Sequence, residues 1–274
     1  MKWGLVCKPE IEHVYKLSLR VYEELRKQKQ EVVLENRLAK QLDQDGQALE
    51  DMDVDVFVTV GGDGTILLTL EHTEKPVLGV NAGGVGFLTE IEPKYTPTAV
   101  RRIVHGDYQV EERNRLSAYL GDEQLPDAIN EVTLQTAKIA KLIKFRIAVN
   151  GEVVDTIRGD GVIVATTTGS TGYAMSVGGP IVHPAVQATV IAPIAPFRLS
   201  ARPSVIPYDS EVQITMLDRK SSPSDKVAKV VVDGQHGYDV PHDGVITTRP
   251  SPRKSRFIRF DESFFSRVRT KLIR

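Results

Sequence analysis

A single cysteine, Cys7, is all that 274 residues contain. One thiol cannot close an internal disulfide, so a disulfide-stapled scaffold is excluded and a reducing, cytoplasmic location is expected. Cys7 sits in an apolar run and reads as a small core residue rather than a nucleophile. An excess of either charge is also missing. Lys and Arg number 35 against 36 Asp and Glu, a net charge of -1, whereas a general nucleic-acid binder would carry a basic surplus. No apolar run approaches the length of a membrane span, and the run after Lys2 is too short for a signal peptide. No membrane association and no nucleic-acid partner are therefore expected. Internal repeats and low-complexity linkers are lacking. So are a Gly-x-Gly-x-x-Gly fingerprint after the first strand, a Walker Gly-Lys-Ser/Thr motif and a His-Glu-x-x-His zinc motif. The first of these absences weakens a dehydrogenase reading.

What is present is a globular composition, 41% hydrophobic and 26% charged, with length for one large domain or two ordinary ones. Residues 3–7 read as a buried strand ended by Pro9. Val14, Leu17, Val21 and Leu25 then recur at helical spacing. Glu31 to Glu35 reads as a second strand, and the polar residues 36–53 as a loop or short helix. Val54 to Val60 is a β-branched strand that runs into Gly61-Gly62-Asp63-Gly64-Thr65, after which a helix capped by Thr65 should reach about His72. Pro76 to Val80 reads as a fourth strand and enters a second glycine-rich turn, Asn81 to Gly86. Alternating strands and helices imply an α/β domain with a parallel sheet.

After Gly106 the rhythm changes to short β-type runs: Ser117–Leu120, Glu131–Gln135, Lys144–Val149, Glu152–Ile157, Gly161–Thr166, Glu211–Met216, Lys229–Val232 and Val245–Thr248. Asn150-Gly151 between two alternating runs is a hairpin signal. The expected organisation is an α/β domain over 1–106, an all-β domain over 107–260, and a helical C-terminal segment, 261–274, that returns to the first domain.

The Gly61-to-Thr65 segment carries the first chemical signal. Glycines let backbone approach a ligand closely, consecutive N–H groups make an anion-binding concavity, and a helix N-terminus adds free donors. Gly61, Gly62 and Thr65 are therefore assigned to the phosphate donor, and Asp63 is an acid placed beside them. This combination points to phosphoryl transfer. Gly-Gly-Asp-Gly followed by Thr or Ser is shared by phosphofructokinases, diacylglycerol-type lipid kinases and NAD kinases, so the rest of the chain has to discriminate.

It does so through several blocks. Gly79-Val80-Asn81-Ala82-Gly83-Gly84-Val85-Gly86-Phe87-Leu88-Thr89 resembles an NAD kinase segment, as does the Asn130-Glu131 pair. Asp160 to Tyr173, Gly178-Gly179-Pro180, Ile191 to Pro196, Arg202-Pro203, Asp233-Gly234-Gln235 and the final Phe-Phe-Ser-Arg-Val-Arg-Thr-Lys-Leu extend the resemblance to the end of the chain. What it implies is an NAD kinase that moves a phosphoryl group from ATP or polyphosphate to the 2′-hydroxyl of the adenosine ribose of NAD, giving NADP. It also implies the two-domain fold, and a homodimer or homotetramer with active sites at subunit boundaries. Thr167 and Gly172 depart from the usual bacterial form, which has Pro and Ala there, and hint at an archaeal-type member with altered pocket tightness.

The resemblance assigns Asp63 as the catalytic carboxylate. For substrate binding it implies Gly64, Phe87, Asn130, Glu131, Arg158, Asp160, Thr168, Thr171, Gly172, Tyr173, Ser176 and Gln235. Asn130 and Glu131 would hold the adenosine end, Phe87 and the Gly83-Gly84 turn the adenine side, and Asp160 the nicotinamide end of NAD bound to a neighbouring subunit. A divalent ion, Mg2+, is expected to bridge the phosphates past the Asp63 charge, with no residue assigned as its ligand. His183, before Pro184 at an expected helix start, reads as structural. His236 reads as a surface turn, and the basic stretch Arg249 to Arg259 as a solvated face from which Arg253 or Lys254 would at most reach phosphate. A lipid or sugar kinase leaves the later blocks unexplained, and a nucleotide sensor without catalysis leaves Asp63 unexplained.

Overall fold

The computed structural model describes residues 1–84, 86–217, 228–241, 243–260 and 263–272. Val85 of the second glycine-rich turn, and residues 261, 262, 273 and 274 of the expected C-terminal segment, lie outside the described residues. The chain forms two compact units, one of Met1–Glu112 with Ser255–Arg274 and one of Arg113–Lys254.

The first unit opens with β1 (Lys2–Cys7), α1 (Glu12–Lys27), β2 (Glu31–Leu34), α2 (Asn36–Gln41), β3 (Val56–Gly61), α3 (Asp63–His72), β4 (Val77–Asn81) and α4 (Thr96–Val104). The strands order as β2-β1-β3-β4 and pair in parallel. Helices cover parallel sheets on their faces, so such strands are continuous apolar runs. Accordingly, all six residues of β3 are buried. Trp3, Leu5, Val58, Val60 and Leu78 meet Val14, Val21 and Leu25 of α1 and Val100 and Ile103 of α4 in one core. Each such side chain contributes roughly 1.5–3 kcal/mol by leaving water. The Cys7 thiol is in this core, and burial pushes its pKa up to about 11. It is thus held as an inert thiol. The helix α4 was not anticipated, although Ala99, Val100 and Ile103 face the core at helical spacing and a proline stands at its first turn.

The second unit contains β6 (Glu123–Ala128), β7 (Glu131–Thr136), β8 (Ile143–Val149), β9 (Glu152–Gly159), β10 (Gly161–Thr166), α5 (Tyr173–Ser176), β11 (Ala188–Ile194), β12 (Ser204–Pro207), β13 (Val212–Met216), β14 (Ala228–Val232) and β15 (His236–Val240). β5 (Gln109–Leu120) and β16 (Val245–Arg259) each have residues in both units. A six-stranded sheet runs β12-β11-β10-β7-β14-β15, all antiparallel. Its Val132, Leu134, Val162 and Val164 share a core with Phe145, Ile147, Ile214 and Ile246 from β8, β13 and β16. The alternate residues of β10, Ile163 and Ala165, pack instead with Ala174 of α5 and with β11. Both faces of β10 are therefore covered, all six of its residues are buried, and Thr166 at its end is the one polar side chain.

α6 (Phe264–Leu272) closes the chain and belongs to the first unit. The α/β domain, the β domain and the returning helix are as expected. Four strands were not foreseen: β6, β11, β12 and β15. β11 contains Pro193, a residue that argues against an interior strand. β12 pairs only with Ala188–Ile191, so Pro193 lies beyond the end of that pairing. His183, by contrast, does not open a helix; residues 181–187 are loop and turn.

Candidate active site

Asp63 is the first residue of α3, and Gly62 occupies the cap position in extended geometry with no side-chain cap. The helix thus begins two residues before the expected capping residue. Thr65 lies inside the first turn, buried to 3% exposure, and donates its N–H to Gly62 O at 3.1 Å. Its hydroxyl occupies the space beside Gly61, where a Cβ would come within 2.4 Å of Thr65 Oγ1. The Thr65 side chain is therefore a packing element, because the glycine geometry already starts the helix. A Cβ at Gly62 or Gly64 would meet nothing within 4 Å. The two glycines flanking Asp63 thus leave open ground around it.

Both oxygens of the Asp63 carboxylate are held. Phe87 N–H donates to Oδ2 at 2.8 Å and Leu88 N–H to Oδ1 at 3.0 Å. Such charge-assisted bonds are short and about twice as strong as neutral ones. They fix the carboxylate plane against the second glycine-rich turn. Gly86 makes the approach possible, since a Cβ there would come 2.7 Å from Asp63 Oδ1 and 2.9 Å from Thr89 Oγ1. The turn is shaped at its start by Asn81, whose Oδ1 accepts from Gly83 N–H at 3.0 Å and whose Nδ2 donates to Gly84 O at 3.1 Å. Gly83 and Gly84 sit at φ 130° and 79°, where a side chain would be strained.

The far side of this turn is tied to β16 and α6. Lys271 Nζ donates to Gly86 O and, at 3.3 Å, to Thr89 O. Arg259 donates to Leu88 O at 3.0 Å. Arg259 and Arg267 both bind the Glu90 carboxylate, at 2.9 and 2.5 Å, and Phe260 N–H adds a 2.8 Å bond. The side chains of Glu90, Arg259 and Arg267 are only 3–5% exposed. A buried ion cluster of this kind is costly to break, by about 3–5 kcal/mol when one partner is removed. Arg259 therefore corrects the expectation that Arg249 to Arg259 is a solvated face. Lys254, for its part, bonds Asn114 Oδ1 at 2.6 Å.

The second unit holds a different arrangement. Asn130 and Glu131 stand where the chain enters β7. The Asp233 carboxylate, in the turn between β14 and β15, accepts from Ile129 N–H (2.8 Å), Asn130 N–H (2.8 Å) and Glu131 N–H (2.9 Å). Asp233 and Gly234 both have positive φ, 50° and 68°, the geometry of a tight Asp-Gly turn. On the opposite side, Thr166 Oγ1 donates to Ile129 O at 2.6 Å, and Gly169 packs so closely that a Cβ would lie 2.2 Å from Asn130 O. The turn through Gly169–Thr171 into α5 brings Gly172 over the pair. A Cβ at Gly172 would be 3.1 Å from Glu131 Oε2 and 3.6 Å from Asn130 Nδ2. The alanine usual in the bacterial form would thus crowd Glu131, in line with the expected change in pocket tightness.

Three polar atoms here are buried without a hydrogen-bond partner: Asn130 Oδ1, Glu131 Oε2 and Thr168 Oγ1. Native proteins leave few such atoms unless a ligand or water completes them. Burial and, secondarily, the Asp233 charge push the Glu131 carboxyl from 4.5 up to about 8, against a lowering hydrogen bond from the Tyr173 backbone. It is therefore protonated at neutral pH and presents a neutral acid.

The expected substrate residues fall into groups. Asn130, Glu131, Thr168, Gly172 and Tyr173 are together, with Thr171 bonded to Thr168 O at 3.3 Å. Ser176 is exposed at the end of α5, and Gln235 is exposed in the Asp233 turn. Asp160 and Arg158 are not with them. In the β7–β10 ladder Glu131 faces Ala165, whereas Gln135 faces Gly161, so Asp160 is at the other end, roughly 17 Å along the strand. The sequence alone assigns no site role to Asp233, Gly86, Glu90, Arg259, Arg267 or Lys271, although all but Glu90 lie in segments quoted above. Asp233-Gly234 was readable as a turn, but nothing local marks which N–H groups it meets.

No helix of the described residues is long and apolar enough to cross a membrane. Among the described residues no group of three or more His, Cys, Asp or Glu could hold a metal ion.

Residues 3–108 match the family model of the ATP-NAD kinase N-terminal domain, and residues 129–260 that of the ATP-NAD kinase C-terminal domain. A curated NAD kinase from Methanothermobacter thermautotrophicus is 42% identical over 279 aligned residues, covering 100% of this chain and 96% of that protein. One from Thermococcus gammatolerans is 41% identical, covering 99% of each. Both sources are archaeal, as the form of the long motif suggested. Among solved structures, an NAD kinase from Archaeoglobus fulgidus in complex with ATP aligns with a TM-score of 0.81 and 34% identity, over 98% of this chain and 99% of that one. A yeast NADH kinase complexed with NADH aligns at 0.90 and 25%, over 100% and 87%.

Proposed function

The chain belongs to the NAD kinase family, and we infer that it phosphorylates NAD to NADP with ATP as a donor, using Asp63 as the carboxylate that handles the acceptor hydroxyl. One observation supports this choice of residue above all. Asp63 is fixed through both oxygens by Phe87 and Leu88, while the glycines on either side of it leave open space. A carboxylate oxygen accepts more than one hydrogen bond, so each Asp63 oxygen keeps capacity for a substrate hydroxyl.

Phosphoryl transfer rests on positioning and charge neutralisation. The ribose 2′-oxygen attacks the terminal phosphorus, the bond from that phosphorus to the leaving phosphate oxygen breaks, and the hydroxyl proton passes to Asp63 late in the step. Early deprotonation is disfavoured because a ribose hydroxyl is a weak acid and a carboxylate a weak base. Gly61, Gly62 and Gly64 admit the donor phosphates to the start of α3, where free N–H groups favour anions. Asn130, Glu131, Thr168, Thr171, Gly172 and Tyr173 receive NAD, whose polar groups would complete the three unbonded atoms.

A magnesium ion fits this donor set only if phosphates and water supply most of its ligands. The described residues hold no carboxylate cage, and Asp63 is the one carboxylate assigned near the phosphates. That is the usual manner of Mg2+ beside transferred phosphates, where it neutralises charge on the donor. Polyphosphate presents the same linked phosphates and is proposed as a second donor.

We also propose a homo-oligomer in which Asp160 and Arg158 serve a neighbour's NAD. They lie far along the ladder from Glu131. Phe197, whose N–H donates to Arg158 O at 2.8 Å, is 79% exposed, and nearby Leu199 is 88% exposed. Large exposed apolar residues clustered in this way suit a subunit contact. A cytosolic location accords with the single buried thiol.

A donor and acceptor matrix tests the function: ATP, other nucleotides and polyphosphate against NAD and NADH, with Mg2+. NADP formation from NAD and ATP is expected. Turnover of a lipid or sugar with no NADP from any donor would overturn it.

A further inference from the structure

We infer that Asp233 is a positioning residue of the substrate pocket, whose carboxylate sets the aim of Asn130 and Glu131 by gathering three successive backbone N–H groups. The inference rests on the proposal that this pocket receives NAD.

The geometry is specific. Ile129, Asn130 and Glu131 each donate to Asp233, at 2.8, 2.8 and 2.9 Å, and Asp233 N–H returns a 3.0 Å bond to Glu131 O. Four bonds thus bind one residue to one three-residue segment across more than a hundred positions of sequence. The segment is pinned from the other face as well: Thr166 Oγ1 takes Ile129 O, and Thr166 N–H takes Asn130 O at 2.8 Å. Its backbone is thus bonded on both sides. The side chains of Asn130 and Glu131 consequently leave it in fixed directions, with Oδ1 and Oε2 buried and unbonded. A ligand completing those atoms meets a site already ordered, which lowers the entropy lost on binding.

The clamp has an electrostatic consequence. After burial, the Asp233 charge is the next cause that raises the Glu131 pKa. Beside Asp233, the groups that meet Glu131 among the described residues include the Tyr173 backbone and Gly172 from α5 and its preceding turn, and Ala165 from β10. Asp233 therefore helps hold the Glu131 carboxyl protonated through neutral pH. A purely structural Asp233 would support the fold without governing the titration of its neighbour.

The experiment compares Asp233→Asn and Glu131→Gln with the parent enzyme for kcat, for KM of NAD and for their pH profiles between pH 5 and 9. The parent should show a limb in KM near pH 8, lost in Glu131→Gln. Asp233→Asn should raise KM by about tenfold, with kcat changed less, and move the limb by about one unit toward acid. An Asp233→Asn enzyme with parental KM and limb would overturn the inference, as would loss of stability with the limb unmoved. A normal KM in Glu131→Gln would instead refute the NAD pocket itself. If Asp233→Asn does not fold, a carboxyl NMR titration and amide hydrogen exchange of the intact parent decide. Absence of Glu131 Cδ titration below pH 7, together with protected Ile129, Asn130 and Glu131 amides in hydrogen exchange, supports the inference, and rapid exchange of those three amides contradicts it.

Discussion

In the first unit, both oxygens of Asp63 are bonded by Phe87 and Leu88, and the turn that bonds them is tied down in turn by Lys271, Arg259 and the Glu90 cluster. In the second unit, Asn130 Oδ1, Glu131 Oε2 and Thr168 Oγ1 are buried with nothing to bond. The Asp63 carboxylate is bonded through both oxygens, with one buried unbonded atom, Arg259 Nη2, in its supporting cluster, whereas the second site leaves three ligand-facing candidates unbonded. A catalytic carboxylate gains from having its orientation complete before substrate arrives, because any later adjustment adds to the barrier. A binding pocket gains from leaving polar atoms open, because the right ligand removes their desolvation penalty and a wrong one does not. On the proposed function, chemistry falls to the first unit and recognition to the second.

Three substitutions would break or sharpen that division. The largest effect is expected from Asp63→Asn, which keeps the shape but supplies an amide where Phe87 and Leu88 need two acceptors. Steady-state assays should show kcat reduced by about a thousandfold. Gly86→Ala comes next. Its methyl would press on Asp63 Oδ1 from 2.7 Å and displace the carboxylate. A loss of about ten- to a hundredfold in kcat is expected, with KM for NAD preserved. Unchanged turnover would show that the turn does not set Asp63.

Glu131→Gln has the smallest expected effect on turnover and a distinctive effect on stability. The folded-state pKa of Glu131 is raised from 4.5 to about 8, so the folded protein binds a proton that the unfolded chain has released. The stability from that proton is fully present below pH 4.5, declines as pH rises, and is gone above pH 8. The slope is at most about 1.4 kcal/mol per pH unit. Melting curves at pH 5.5 and 8.5 should therefore favour the glutamine variant progressively at the higher pH. Parallel curves for the two proteins would contradict the buried, protonated carboxyl.

The same contrast explains what could be read in advance. Asp63 was legible because strand, glycine turn and helix follow one another directly, and β3 is apolar enough to be unmistakable. The role of Thr65 was misplaced because capping preference is a local rule, and the glycine before Asp63 had already satisfied it. Asn130, Glu131 and Thr168 were recognised through motif resemblance, yet their open atoms became visible only when Gly172 and Asp233 were folded against them. Arg259 could not be distinguished from exposed Arg249 and half-buried Arg256. Its partners Glu90 and Glu111 are about 150 to 170 residues away in sequence. Local chemistry was readable, and the supporting contacts between distant segments were not.

The most direct test of the division is calorimetric titration of NAD into Asp63→Asn, set beside the turnover of the same preparation. The account predicts an affinity within about threefold of the parent together with the near-complete loss of NADP formation. Turnover close to the parent's, or an affinity that falls as far as the rate does, would contradict it.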